Sequence, residues 1–180
     1  MLRTRTATLH AHLDRVVYSA CVDEAFRLGR LLAIHYDALT LLVPALEQAG
    51  AKHVYPGWEG RSWLAALEED LRLLRVRPHK ISEHPPSFAK EPEIWGALYA
   101  LEGSHLGNRV ILRSVLECGS EDERRATQFL SHGSGEPSAW GRFVAQLDNH
   151  RYCGEVFEWA ALGAERVFET YLNAAKRCSE

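Results

Sequence analysis

The 180-residue chain is predicted to be an all-α protein, a single-domain helical bundle that spans residues 1–180. Three observations predict this class. Apolar residues recur at helical spacing along most of the chain, and no run alternates apolar and polar residues for long enough to form a sheet. Breaks that contain proline and glycine separate the helical segments. The length suffices for one domain with a sizeable core.

The predicted helices follow from the apolar spacing and from these breaks. The first begins close to the N-terminus and is amphipathic. The second contains Pro44, which is expected to kink or shorten it, and Pro56-Gly57 marks the turn that follows. The longest loop is expected at residues 77–91, and another break at 133–137. The apolar stripe of the last helix is assigned to the core. Helices are predicted at about residues 2–18, 23–49, 60–76, 92–116, 121–131, 137–150 and 154–177.

Composition limits the possible functions. A formal net charge of −3 with no basic stripe argues against a nucleic-acid partner. We find neither a signal peptide nor an apolar run of about 18 residues, so no membrane association is expected and a cytoplasmic location is predicted. The four cysteines show no paired spacing and are predicted to be free thiols in a reducing compartment: Cys21, Cys118, Cys153 and Cys178.

The segment 95–110, WGALYALEGSHLGNRV, carries three glycines within a helical pattern. Each internal glycine costs about 1 kcal/mol relative to alanine. Gly96, Ala100, Gly103, Gly107 and Val110 fall on one stripe of the helix. The stripe suits close packing between helices or, alternatively, a wall pressed against a planar ligand, and these residues alone leave both possibilities open.

The first helix carries a histidine between two charged residues on nearly the same side. Asp14 follows His10 by one helical turn, and Arg3 precedes it by about 10 Å along the axis. A lone histidine on an apolar face is usually a core residue. Here a second possibility exists, because one ring nitrogen could bind a metal while the carboxylate of Asp14 fixes the tautomer.

Together, the two segments resemble the haem oxygenase family, in particular its bacterial biliverdin-producing branch. That branch combines an "LR..T...H..LD" helix near the N-terminus with a later "LY.LEGS.LG" helix. The residues that match are Leu2, Arg3, Thr6, His10, Leu13 and Asp14 in the first segment, and Leu98, Tyr99, Leu101, Glu102, Gly103, Ser104, Leu106 and Gly107 in the second. Weaker similarity continues through Trp140, Phe143, Leu147 and Asp148 and into the last helix.

The resemblance implies a site. His10 would be the axial ligand of the haem iron, and Arg3 would hold a propionate, with Arg5, Arg109 and Arg142 as less favoured candidates. Gly103 and Gly107 would face the opposite side of the haem, where a local bend would expose backbone groups. Ser104, at a position that holds an aspartate in animal enzymes, would take part in the proton supply. Asn108 replaces a frequent glycine and would narrow the pocket or add a hydrogen-bonding group.

The resemblance also implies a reaction. Haem b would be both substrate and cofactor, since the chain has no CxxCH motif for covalent attachment. Dioxygen and electrons would open the macrocycle to biliverdin, carbon monoxide and ferrous iron. The electrons would come from an external donor such as a ferredoxin or a reductase, because no flavin or nicotinamide motif is present. A phytochrome is a candidate acceptor of the biliverdin.

Two alternatives come from other classes. A helical protein of the same fold could bind haem without turnover. A di-iron carboxylate bundle is disfavoured, because Glu102 and His105 form only one of the two Glu-x-x-His pairs that it requires. His105 is predicted to be a packing or surface residue, since it points away from Gly103. A zinc hydrolase is also disfavoured, because no HExxH motif occurs.

Overall fold

The computed structural model describes residues 2–20, 27–79, 84–132, 139–149 and 153–178. These residues form helices and contain no strand, which confirms the all-α class. The helices are α1 (Leu2–Ala20), α2 (Arg27–Gln48), α3 (Ala51–Val54), α4 (Gly60–Leu73), α5 (Glu91–Cys118), α6 (Glu121–Arg125), α7 (Gln128–Ser131), α8 (Ala139–Asn149) and α9 (Gly154–Arg177). The predicted start of the second helix and the predicted break at 133–137 lie outside the described residues.

The centre of the fold is the pair α5 and α9, which pack more extensively than any other two helices. Two glycines allow this approach. A Cβ atom at Gly96 would overlap the backbone carbonyl of Ala160, and one at Gly163 would overlap the backbone of Glu93. Gly96 therefore serves helix packing, so this end of the predicted glycine stripe faces a neighbouring backbone and not a ligand.

A buried carboxylate holds the beginning of α5 against α9. Glu93 is 2% exposed, and one of its oxygens accepts the backbone N–H groups of Ala89 (2.6 Å) and Lys90 (3.0 Å). Its other oxygen accepts from Arg166 of α9 at 2.9 Å. Both oxygens of the buried Glu93 carboxylate thus accept hydrogen bonds, which offsets the cost of removing its charge from water.

The predicted helix at 121–131 is in fact two short helices, α6 and α7. Asp70 of α4 is fully buried and accepts the backbone N–H groups of Gln128 at 3.0 Å and Phe129 at 2.8 Å. Its carboxylate therefore satisfies N–H groups at the start of α7 that no helical carbonyl reaches. The break between α6 and α7 depends on this long-range contact, and local sequence could not predict it.

Helix α2 lies in the core and continues through Pro44 to Gln48, so Pro44 does not shorten this helix. Its residues Leu32, Leu39, Leu42 and Leu46 are at most 1% exposed. Leu28–Gln48 is also long and apolar enough to cross a membrane by length and composition alone. However, 72% of its most apolar window is buried inside the fold, as in a core helix.

Helix α1 lies mainly on α9. Leu2 and Thr6 are buried on this side, and the Thr6 hydroxyl donates to the Leu2 carbonyl at 3.0 Å. Arg5 adds an ion pair with Glu165 at 3.3 Å and a longer one with Glu158 at 3.9 Å. The position of α1 on α9 determines where His10 lies.

Candidate functional site

His10 is a surface residue at the edge of the contact between α1 and α9. Its side chain is 62% exposed, and its Nδ1 atom lies 3.0 Å from Oδ2 of Asp14. The edge of its ring meets Phe168 of α9, with the ring centroids 5.8 Å apart. A hydrogen on Nδ1, donated to the carboxylate, leaves the lone pair of Nε2 available to a metal ion. The exposure excludes the alternative that His10 is a core residue.

Arg3 lies on the same helix, is exposed, and comes near α5. Burial raises the pKa of Tyr99, and the positive charge of Arg3 partly offsets this effect. The start of α1 therefore lies within electrostatic range of the middle of α5. Among the alternative arginines, Arg5 already pairs with glutamates of α9. Arg3 is thus the better placed of these two for a propionate.

Gly103 and Gly107 have different surroundings. A Cβ atom at Gly103 would lie 3.4 Å from the indole ring of Trp140, in α8, whereas one at Gly107 would meet none of the described residues within 4 Å. Leu106 and Val110, on either side of Gly107, are 43% and 72% exposed. Helix α5 continues as α-helix through both glycines. The open, apolar part of the stripe is its second half.

Ser104 and Asn108 occupy other faces of α5. The Ser104 hydroxyl donates to the Leu101 carbonyl at 2.6 Å, so its proton is used within the helix and its oxygen can still accept. Asn108 is only 2% exposed, and its amide nitrogen has no partner among the residues that the structure describes. Asn108 is therefore a buried residue with an available amide N–H group.

His105 is a packing residue, as predicted. It is 8% exposed and its ring meets Trp63 edge to face, with the centroids 4.8 Å apart. Burial, with smaller effects of His132 and Arg109, lowers its pKa to about 4. It is therefore neutral near pH 7 and lies away from the glycines of α5. Among the described residues, the one group of side chains that could hold a metal ion includes neither Glu102 nor His105. The structure therefore gives the di-iron alternative no support.

The carboxyl group of Glu102 precedes Gly103. Burial, followed by the charge of Glu59, raises its pKa from 4.5 to about 7. Because the pKa of Glu102 is raised in the folded state, this residue makes its full contribution to stability below pH 4.5. The contribution is lost as the pH rises through about 7. We expect Glu102→Gln to stabilise the protein by roughly 2–3 kcal/mol at pH 8 and by little at pH 4.5.

Urea unfolding of wild type and Glu102→Gln from pH 4.5 to 8 measures this difference. Comparison of the two proteins cancels the titration of His105 and of other shared groups. Glu68→Gln, on the exposed side of α4, is the control and should give a small difference over the same range. A difference in unfolding free energy between wild type and Glu102→Gln that does not change with pH would contradict the raised pKa of Glu102.

The structure brings together only part of the predicted site. His10 and Asp14 are in contact, and Arg3 is near α5, but α1 makes its extensive contacts with α9 and not with α5. Sequence analysis assigned Phe168 to the core and gave no role to Trp140. Phe168 nevertheless contacts His10, and Trp140 lies beside Gly103. Helical spacing shows that Phe168 belongs to an apolar stripe, but it carries no signal that the stripe ends beside His10.

Comparison with known proteins finds similarity both in sequence and in fold. The chain is 35% identical to a haem oxygenase of Xanthomonas campestris pv. campestris over 157 residues, which covers 87% of each protein. Its fold is similar to that of the haem oxygenase of Neisseria meningitidis solved in NO- and CO-bound forms. That comparison has a TM-score of 0.79 and 23% identity, and it covers 99% of this chain and 89% of the other. No family model matches the chain. The identity to the Xanthomonas protein over most of both chains shows that this protein belongs to the haem oxygenase family.

Proposed function

We propose that the protein binds haem b and, with dioxygen and electrons, converts it to biliverdin, carbon monoxide and ferrous iron. Membership of the haem oxygenase family supports this activity. The observation that carries the proposal is the exposed imidazole of His10, whose Nδ1 lies 3.0 Å from the Asp14 carboxylate. This arrangement presents a neutral Nε2 donor, the form in which histidine ligates haem iron. All 180 residues would form one such domain.

The residues around His10 fit the proximal side of a haem. Phe168 supplies an aromatic edge next to the imidazole, and Arg3 supplies a cation on the same helix. Haem b carries two propionates, and a guanidinium binds a carboxylate through paired hydrogen bonds. In the proposed complex His10 holds the iron, Asp14 orients the imidazole and Arg3 binds a propionate.

The second half of the glycine stripe fits the distal side. Gly107 leaves space above its backbone, and the exposed side chains of Leu106 and Val110 supply an apolar surface that a macrocycle would cover. Gly103, which faces Trp140, would form the rest of the α5 surface that lies against the distal side of the haem. The oxygen of Ser104 would accept a hydrogen bond from an ordered water and so hold a proton source near the reacting face.

Bound haem supplies the activation of dioxygen, and the macrocycle is itself the substrate that is oxidised. The side chains of the protein hold the ring, exclude bulk water and direct protons. The electrons come from a separate reductase-type donor, for which we propose a ferredoxin or a reductase. A cytoplasmic location and delivery of biliverdin to a phytochrome are further parts of the proposal.

Addition of hemin to the purified protein, followed by a reductant in air, tests the function. We expect a stoichiometric Soret band that decays with formation of biliverdin and carbon monoxide. A Soret band that persists under reductant would favour the non-catalytic haem-binding alternative. Absence of a Soret band would reject haem binding altogether.

A large side chain at residue 107 should interfere with haem without harming the fold. A Cβ atom there meets no atom of the described part of the chain within 4 Å, so the described residues leave room for the side chain of Gly107→Leu. The leucine would occupy the surface proposed for the macrocycle, and we expect hemin affinity to fall by roughly tenfold or more, about 1.4 kcal/mol. Hemin titration measures the change. Gly141→Leu, at an equally open glycine of α8, is the control and should bind like wild type. Equal binding by both variants would place the haem elsewhere.

Removal of the carboxylate next to His10 should alter the iron ligand. We expect Asp14→Ala to lower turnover by about 10–100-fold, because partners that orient a metal-bound histidine contribute on this scale. Resonance Raman spectroscopy of the ferrous protein should show a weaker iron–histidine stretch, a change that a merely structural effect would not produce. Asp148→Ala, on the exposed face of α8, should leave both the turnover and the iron–histidine stretch unchanged. An unaltered stretch in Asp14→Ala would reject the role of Asp14.

A further inference from the structure

A second group of metal-ligand side chains lies away from His10. Asp37 of α2, His79 after α4 and Cys178 at the end of α9 place their ligand atoms within 4.8 Å of one another. Nδ1 of His79 lies 3.1 Å from Oδ2 of Asp37 and 3.7 Å from Sγ of Cys178. Three chain segments that are distant in sequence thus converge on one point.

An ion pair between Asp37 and His79 does not explain the whole arrangement. Asp37 is fully buried, and its Oδ1 atom has no hydrogen-bond partner among the described residues. An unpartnered carboxylate oxygen in the interior costs free energy, and native proteins usually satisfy such atoms.

Zinc would account for these features. Zn²⁺ binds histidine nitrogen and carboxylate oxygen at about 2.0–2.2 Å and cysteine sulfur at about 2.3 Å, so tetrahedral ligand atoms lie about 3.3–3.6 Å apart. The separation of His79 Nδ1 from Cys178 Sγ, 3.7 Å, is slightly above this range, and that of His79 Nδ1 from Asp37 Oδ2, 3.1 Å, is slightly below it. We propose that Asp37, His79 and Cys178 form a binding site for a zinc-type divalent ion, with a fourth position open to water.

The charges are compatible with such an ion. A carboxylate and a thiolate together balance two positive charges, and binding releases the thiol proton while the proton of His79 resides on Nε2. Arg177 lies near enough to Asp37 to favour the anionic form of this carboxylate. None of the three ligands belongs to the proposed haem site. The ion would join α2, the segment after α4 and the end of α9, so its role would be structural.

Cobalt binding to the full chain provides the test. Wild-type protein, first stripped with a chelator and kept free of haem, is titrated with Co²⁺ and then with Zn²⁺. We expect one ion per chain, a sulfur-to-cobalt charge-transfer band in the near ultraviolet, and its loss when Zn²⁺ replaces Co²⁺. Zinc should also raise the Tm in a concentration-dependent manner.

Variants locate the site. Cys178→Ser should abolish the charge-transfer band and weaken Zn²⁺ binding by at least about tenfold. Cys118→Ser and Cys153→Ser, which remove exposed free thiols, should retain the band. His79→Ala, in a partly exposed position outside the core, provides a second test if Cys178→Ser folds poorly.

Retention of the band in His10→Ala would separate this site from the haem ligand. Wild type that binds no Co²⁺, or a folded Cys178→Ser protein that binds Zn²⁺ as wild type does, would overturn the proposal.

Discussion

His10→Ala protein is expected to fold normally and to lose at least about 100-fold in haem turnover, because it lacks the proposed axial ligand. The stability change should be within about 0.5 kcal/mol, since the side chain is 62% exposed and its contacts are the Asp14 carboxylate and the edge of Phe168. Hemin titration and biliverdin formation under reductant measure the first effect, and thermal unfolding followed by circular dichroism measures the second.

His12→Ala is the matched control, because His12 lies on the same helix and is also exposed. It should bind and degrade haem as wild type does. Imidazole added to the His10→Gly variant should restore the haem spectrum in part if the loss results from the missing ligand. Full turnover by His10→Ala without imidazole would remove His10 from the site.

Gly96→Ala is expected to destabilise the fold by about 1–3 kcal/mol, although alanine is the better helix former. The new Cβ atom would overlap the carbonyl of Ala160. This group is backbone and cannot move aside as a flexible side chain could, so α5 and α9 must separate. Urea unfolding measures the loss.

Gly107→Ala makes the same substitution in the same helix, where the added atom meets nothing within 4 Å. It should raise the free energy of unfolding by up to about 1 kcal/mol, the intrinsic helix preference alone. The two variants should therefore change stability in opposite directions. Equal effects at both positions would show that Gly96 is not a packing contact.

The helical class and most helix positions were predictable, because apolar spacing and breaks are local properties of the chain. The last helix, for example, was predicted at about 154–177 and α9 is Gly154–Arg177. Errors arose where distant groups intervene. The carboxylate of Asp70 defines the start of α7, so the single helix predicted at 121–131 is two helices.

The candidate site shows the same division. The spacing of His10 and Asp14 predicts their contact, because residues four apart are neighbours on one helix face. The glycine stripe, in contrast, has no single role. Gly96 packs on Ala160, Gly103 faces Trp140, and Gly107 is open. Helical periodicity assigns the three glycines to one stripe but contains no information about which helix covers each of them.

The all-α class, the resemblance to haem oxygenases and the pairing of His10 with Asp14 could be inferred before any fold was known, since each depends on residues close together in the chain. Only the tertiary structure showed that His10 is exposed beside Phe168. It alone also brought Asp37, His79 and Cys178 together. These last features depend on how helices pack, and packing depends on contacts between residues that are far apart in sequence.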